Sequence, residues 1–365
     1  MIVAGVAGCV LTLAHIAGIL LYDAQSVRMI RTYKKHPHAL KYRARPLISA
    51  VVSAYNDADS IMYTLNSVLT SSYRNVEMLV VDLGSEDYTK AVVKGYIEQH
   101  PKRSIRLITQ KEHEGGKRAL KRAVKHYGSG ELVLEIPAGG YVDPNAMRNA
   151  VLHFAHDAAM DALNVNRYIE SRASVIGLFE RYFAILSQRS DKFLSATGLL
   201  VTVRRMTLYR RSAYLHKRDS GRLTVRYAHD VTVGIPALAS YRKIFGRSYR
   251  AYVHLLRDMY PSDRSWLKHG YIYCSAIVAL TGPLLIGYFL YVALYLHELT
   301  LLLLCVVGLS VFLAIAINEE GRFNIWQKAG YILGLPVTFA LFYILSLARL
   351  LAVLVAPFHR RTADA

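Results

Sequence analysis

Acidic side chains are scarce in this chain. There are 26 Asp plus Glu against 45 Lys plus Arg, a formal net charge of +19 over 365 residues with histidine neutral. Such an excess points to an anionic partner surface or ligand. Charge of either sign is nevertheless low, at 19%, while 53% of the residues are hydrophobic and the mean hydropathy is +0.22. That balance excludes a disordered chain and a wholly soluble one. Cysteine is nearly absent. Cys9, Cys274 and Cys305 each fall inside an apolar run, which excludes a disulfide-stapled domain and reads as small buried side chains rather than a redox or metal set. Aromatic-interleaved basic patches are missing as well, so a nucleic-acid-binding module is excluded and the positive charge needs another partner.

The long hydrophobic runs that are present lie at the two ends. Residues 2–22 carry no charged side chain apart from His15, about the ~20 residues that cross the hydrocarbon layer as a helix. Arg28, Arg31, Lys34, Lys35, Lys41, Arg43 and Arg45 follow, with no basic segment ahead of the run and no small-residue cleavage site. This reads as an uncleaved anchor followed by a cytoplasmic basic stretch. Three more apolar runs, 271–296, 299–317 and 329–356, end in a basic tail at His359, Arg360 and Arg361. Three full crossings would put that tail outside, whereas its charge reads as inside. Either the tail is an exception, or one run, such as the last with Pro336, lies at the interface or re-enters. The expected organisation is an anchor over 1–24, a basic linker over 25–46, a cytoplasmic domain over 47–266, a membrane region of two or three helices over 267–357, and a tail over 358–365.

Between the anchors the pattern changes. Short apolar runs at 47–53, 76–81, 105–109 and 132–136 read as strands, and amphipathic stretches at 60–70, 88–99 and 116–126 read as helices. Alternation at this spacing predicts a doubly wound α/β sheet, in which ligands bind beyond the carboxyl ends of the strands. Four loops stand there: AYND (54–57), DLGSED (82–87), EGGK (114–117) and PAGG (137–140).

Taken in order, VVSAYND (51–57), VVDLGSEDYT (80–89), GGKRAL (115–120), VDP (142–144), Asn164 to Asp191, Gly198 with Arg204-Arg205, His229-Asp230 and Trp266 resemble the family-2 glycosyltransferases. The likeness is greatest to the membrane-embedded synthases of hyaluronan, chitin, cellulose and poly-N-acetylglucosamine. It implies a GT-A-like, Rossmann-like domain held between an N-terminal transmembrane helix and a C-terminal set, multi-pass in the plasma membrane. It also implies UDP or a UDP-sugar as ligand and the lipid bilayer as surroundings. By the same resemblance Tyr55, Asp57, Asp82, Lys117 and Arg118 bind the nucleotide, Arg264 and Trp266 bind the acceptor and diphosphate, and Asp230, at the start of a helix, is the general base.

Several positions depart from the family pattern. Leu83 replaces the second of two adjacent acids, His229 replaces a glutamate, and only Trp266 of the Gln-x-x-Arg-Trp motif stays in register, with Arg264 one place off. The family ends its fourth strand with Asp-x-Asp, which holds Mg²⁺ or Mn²⁺ against the diphosphate. Pro137 and Gly139 stand at those positions and neither ligates a hard cation. Asp143 and Glu135 are the nearest carboxylates in sequence, the first read as a turn cap before Pro144 and the second as a strand residue. Two readings follow. One is a glycosyltransferase-like protein of cell-surface polysaccharide synthesis with weak or lost catalysis, a pseudoenzyme that works by nucleotide binding or by pairing with an active synthase or another synthesis subunit. The other is an active inverting transferase in which Lys117, Arg118 and Arg264 replace the metal and Asp230 is the base.

Overall fold

The computed structural model describes residues 45–110, 115–170, 206–216 and 223–236 as continuous segments and, beyond them, residues 191–197, 346–354 and single positions. The apolar runs 2–22 and 299–317 lie outside the described residues, and 271–296 and 329–356 lie largely outside them. Among the described residues no helix is long and apolar enough to cross a membrane. The chain divides into two compact units, one of residues 21–170 and 194–236 and the other of residues 1–20, 171–193 and 237–364.

The first unit is the expected α/β domain. It runs β1 (Ile48–Ala54), α1 (Ile61–Leu69), β2 (Val76–Asp82), α2 (Thr89–Gln99), β3 (Ile105–Thr109), α3 (Gly116–Tyr127) and β4 (Leu132–Pro137). There follow β5 (Tyr141–Val142), α4 (Ala146–His156), β6 (Ala162–Glu170), β7 (Leu208–Arg210), α5 (Arg211–His216) and β8 (Val225–Pro236). The eight strands lie in one sheet ordered β3-β2-β1-β4-β7-β6-β8-β5. β3, β2, β1 and β4 are mutually parallel, and the register sets Ala54 beside Asp82 and Ser53 beside Pro137. Helices cover such strands on both faces, which is why β1, β2 and β4 are near-continuous buried apolar runs. The second half of the sheet is mixed: β7 is antiparallel to β4 and β6, β8 runs parallel to β6, and β5 closes the edge against β8.

At the amino ends of the central strands a buried carboxylate ties three segments together. Ser49 Oγ donates to Glu77 Oε1 at 2.5 Å, and the backbone N–H groups of Ser129 and Gly130 donate to the same oxygen at 2.6 and 3.0 Å. Ser129 Oγ donates to Oε2 at 3.0 Å. Burial pushes the Glu77 carboxyl up, but the donors from Ser49, Ser129 and Gly130 outweigh it and hold the group below its ordinary value of 4.5. The lock is therefore anionic near neutrality and fixes where β4 begins.

Candidate functional site

Everything placed by sequence at the nucleotide end lies at the carboxyl edge of β1, β2 and β4, and the first two loops are built into each other. Leu83 N–H donates to the Ala54 carbonyl at 2.9 Å, Asn56 N–H to Ser85 Oγ at 3.0 Å, and Glu86 N–H to Asn56 Oδ1 at 2.9 Å. Asp57 N–H donates to Thr89 Oγ1 at 2.9 Å and Ala58 N–H to Asp87 Oδ2 at 3.1 Å. Asn56 holds φ +53°, a left-handed conformation that asparagine tolerates better than most residues. The two loops form one pre-organised wall.

Within that wall the predicted residues have different states. The Tyr55 ring is exposed, and the Asp57 carboxylate turns back to accept the Tyr55 N–H at 2.9 Å, so it shapes the loop that presents the ring. Asp82 is fully buried. Its carbonyl accepts the Gln110 N–H at 3.0 Å and its Oδ1 accepts the Ser85 N–H at 3.2 Å, while Oδ2 has no hydrogen-bond donor. Lys90 Nζ stands 3.7 Å from that oxygen. Sequence reasoning missed Lys90. The available signal was a cation in the first turn of α2, where the helix dipole disfavours it.

The third loop enters α3 through Gly115 at φ +77°. A Cβ on Gly116 would lie 3.3 Å from Leu83 Cδ1, so the residue replacing the family's second acid packs on the helix opening. The amino terminus of α3, Asp82 and Leu83 thus form one neighbourhood. Lys117 and Arg118 are exposed in its first turn, and Arg122 and Lys125 extend the charge while Ala119, Ala123 and Val124 face inward. A helix start carrying cations offers free N–H groups and positive charge to an anion.

The fourth loop is a tight turn. Gly140 N–H donates to the Pro137 carbonyl at 2.9 Å, Ala138 N–H donates to the Ser53 carbonyl at 2.8 Å, and Gly139 sits at φ +79°. Those features describe a type II turn with glycine at the position that requires positive φ. A Cβ on Gly140 would fall 2.8 Å from the Pro137 carbonyl oxygen, so that position excludes a side chain. Tyr141, the next residue, stacks on Tyr63 of α1 with ring centroids 5.4 Å apart. The two nearby carboxylates are otherwise engaged. Tyr214 donates its hydroxyl to Glu135 Oε1 at 2.7 Å, and Asp143 Oδ1 accepts the Asn145 N–H at 3.2 Å. Among the described residues no group of three or more His, Cys, Asp or Glu could hold a metal ion. The residues at this turn do not fit the Mg²⁺ or Mn²⁺ that the resemblance implies, because a hard cation needs several oxygen ligands converging on one point.

Asp230 stands elsewhere. The helix start expected for it is instead the strand β8, whose stretch VRYAHDVTVGIP is rich in β-branched residues and ends in Gly-Ile-Pro. Pairing with β6 slips there: Val165 lies opposite Ala228 and Asn166 opposite Thr232, leaving His229, Asp230 and Val231 in the interruption. His153 Nε2 meets Asp230 Oδ1 at 2.7 Å, and Asn149 Nδ2 donates to the Asp230 carbonyl at 2.8 Å, both from α4. Burial raises the carboxyl's pKa, but the hydrogen bond and charge of His153, the local backbone N–H and His229 bring it below the ordinary carboxylate value. Gly234, which pairs with Tyr141, is four residues further along β8, about 13 Å at ~3.3 Å per residue. The structure therefore sets Tyr55, Asp57, Asp82, Lys117 and Arg118 on the loops and helix start that follow β1, β2 and β3, and holds Asp230 on β8 against α4. Arg264 and Trp266 lie outside the described residues.

Residues 49–216 match the profile "Glycosyl transferase family 2". The chain is 26% identical over 170 residues to the poly-beta-1,6-N-acetyl-D-glucosamine synthase of Staphylococcus aureus strain MSSA476, and 25% identical over 170 residues to that of Staphylococcus epidermidis strain ATCC 35984. Each alignment covers 46% of this chain and 40% of the relative, so the chain spans less than half the length of the curated relatives it matches. Among solved structures, the mannosyltransferase PcManGT of Pyrobaculum calidifontis, determined with GDP-Man and Mn²⁺, superimposes with a TM-score of 0.52 at 18% identity. That superposition covers 97% of this chain and 98% of the other, and shows a shared fold.

Proposed function

We propose, from the premise that residues 49–216 are a glycosyl transferase family 2 domain on a GT-A-like α/β scaffold, that this protein binds UDP or a UDP-sugar but that its own metal-dependent transfer is weak or lost. In this reading it serves cell-surface polysaccharide synthesis by holding the nucleotide or by pairing with an active synthase. One observation carries the reading: the nucleotide edge is pre-organised while the turn where metal ligands belong is Pro137-Ala138-Gly139-Gly140, closed by its own hydrogen bond. Tyr55 offers a ring face, Asp82 a buried acceptor, and the start of α3 with Lys117 and Arg118 offers charge to the diphosphate. Calorimetry tests it. UDP is expected to bind the full chain weakly, with affinity changing less than about twofold on adding Mn²⁺, since each well-placed divalent ligand set would contribute several kcal/mol. A gain of tenfold or more with Mn²⁺ would place a metal site here and overturn the reading.

The same reading puts the domain on the cytoplasmic side of the plasma membrane, in line with the basic stretch after the first apolar run. Large side chains at Leu284, Tyr288, Tyr291 and Tyr295, spaced three or four residues apart, are exposed, as a lipid-facing stripe requires. Labelling decides the sidedness. With Cys9, Cys274 and Cys305 replaced by alanine, a Lys102→Cys reporter in the exposed turn after α2 should react with an impermeant maleimide only after the cells are opened. Reaction in intact cells rejects the assignment.

A further inference from the structure

The positive charge of the domain is not spread evenly over its helices. α1 has no charged residue, α2 sets Glu98 beside Lys90 and Lys94, and α4 has a single arginine besides its histidines. α3, with the sequence GKRALKRAVKHY, holds five Lys or Arg in 12 residues and no Asp or Glu. At about 100° per residue those five fall on one half of the helix, opposite the buried Ala119, Ala123 and Val124. Such a helix works against itself. Lys117 with Lys121, Lys121 with Lys125 and Arg118 with Arg122 are like charges four apart, each mildly repulsive, and the first two cations oppose the helix dipole. A solvated surface helix gains by mixing signs, as α2 does. An anionic surface laid against the cationic half would offset the repulsion.

We infer that this outer face of α3 is a docking surface for anionic phospholipid headgroups, engaged through Lys121, Arg122 and Lys125, while Lys117 and Arg118 in the first turn stay with the nucleotide site. The inference rests on the reading above that puts the domain at the cytoplasmic face of a membrane, where the leaflet is negatively charged. α3 ends where the basic stretch enters the domain. Asn75 Nδ2 donates to the Arg45 carbonyl at 2.7 Å and the Tyr73 hydroxyl to the Pro46 carbonyl at 2.6 Å. Just after α3, the Leu132 N–H donates to the Leu47 carbonyl at 3.3 Å. The last residue of the basic stretch and the last turn of α3 thus come to the same end of the sheet. Beside that turn Arg106 of the edge strand β3 holds its guanidinium 5.3 Å from the centroid of the exposed Tyr127 ring. Both side chains join an apolar body to a polar head, the combination that settles in a headgroup layer. A protein partner would be held by apolar anchors at the centre of its interface, and the cationic half of α3 has no apolar side chain between its charges. A basic face without anchors is what a lipid surface requires.

The test reconstitutes the full chain, with Cys9, Cys274 and Cys305 replaced by alanine, into nanodiscs of phosphatidylcholine alone or with about a third phosphatidylglycerol, so that both faces of the bilayer stay open. A His126→Cys reporter at the exposed end of α3 is labelled with a water-soluble maleimide. The reference is Glu98→Cys on α2, which the right-handed crossovers place on the other face of the sheet. Phosphatidylglycerol should slow the α3 reporter by about tenfold and the reference by less than about twofold, and about 1 M salt, with a screening length of roughly 3 Å, should abolish the difference. Replacing Lys121, Arg122 and Lys125 together by glutamine should bring the two kinds of disc within about twofold of each other, since each basic residue at an anionic leaflet contributes about fivefold. A charge-keeping variant, Lys121→Arg with Arg122→Lys and Lys125→Arg, should retain the slowing. Equal labelling of the α3 reporter in the two discs overturns the docking face and leaves the membrane reading standing. Slowing in native membranes without slowing in phosphatidylglycerol discs assigns the face to a protein and overturns it as well. A chain that stays with neither kind of disc overturns the membrane reading together with the docking face.

Discussion

Membranes carrying the wild-type chain are expected to incorporate labelled sugar from a UDP-sugar at about one hundredth, or less, of the rate of a family-2 synthase with an intact Asp-x-Asp turn. The reason lies in charge. A departing diphosphate needs its developing negative charge offset, a divalent cation supplies several kcal/mol of that, and ~1.4 kcal/mol is tenfold in rate. The turn that should hold the cation has Pro137 and Gly139 at the two ligand positions, with Glu135 bound to Tyr214 and Asp143 to Asn145. Replacing Pro137 and Gly139 by Asp should raise Mn²⁺ affinity more than it raises turnover. Aspartate at 139 must accept φ +79°, a strain of about 1 kcal/mol, and the acceptor side still carries His229 and, at the Gln and Arg positions of the Gln-x-x-Arg-Trp motif, Ser262 and Ser265. Asp230→Asn is the control. Robust polymer from wild-type membranes, abolished by that substitution, would establish an active synthase with Asp230 as its base.

How much of this was legible in the sequence depends on the range over which each signal acts. The strand and helix pattern from β1 to β4 matches the structure within about one residue at most ends, because each buried strand is a short apolar run bounded by turn residues. Asp82 and the α3 opening were found for the same local reason. Beyond β4 the local signals weaken. β7 is only three residues long and lies between β4 and β6, an insertion that no periodicity announces. The HD motif at 229–230 looked like a helix entry, but Val231, Thr232 and Val233 favour strand and pairing with β6 prevailed. Ion pairs are harder still. Lys90 reaches Asp82 across a turn, marked only by a cation in the first turn of α2, and His153 reaches Asp230 from 77 residues away, with no sequence signature. The engagement of Glu135 by Tyr214, 79 residues on, is of the same kind, whereas Asp143 caps its own turn as the Asp-Pro sequence announces.

Gly130→Ala is expected to lower stability by about 3 kcal/mol, the upper end for overpacking a tight site, and to lower the melting temperature by roughly 5 to 10 °C. A methyl on Gly130 would stand 2.5 Å from the Ser49 backbone nitrogen and 2.8 Å from the Leu47 carbonyl oxygen. Both obstacles are backbone of β1 or its entry, in the middle of the sheet, so no side chain can move aside to make room. The same displacement pulls the Gly130 N–H, now 3.0 Å from Glu77 Oε1, out of the carboxylate lock. A pH series separates the two effects. Because the folded Glu77 carboxyl lies below its ordinary value of 4.5, its contribution is fully present above that pH and is lost as pH falls through the folded value. Glu77→Gln should therefore be less stable than the wild type at pH 7 and approach it as pH drops below about 4, the Glu reference region. Gly130→Ala should keep most of its deficit in acid, since the steric part does not titrate. A Gly130→Ala protein that melts with the wild type at pH 7 would mean that β1 can shift by half an ångström or more. The lock would then not be what sets the start of β4, nor the height at which the Pro137-to-Gly140 turn emerges.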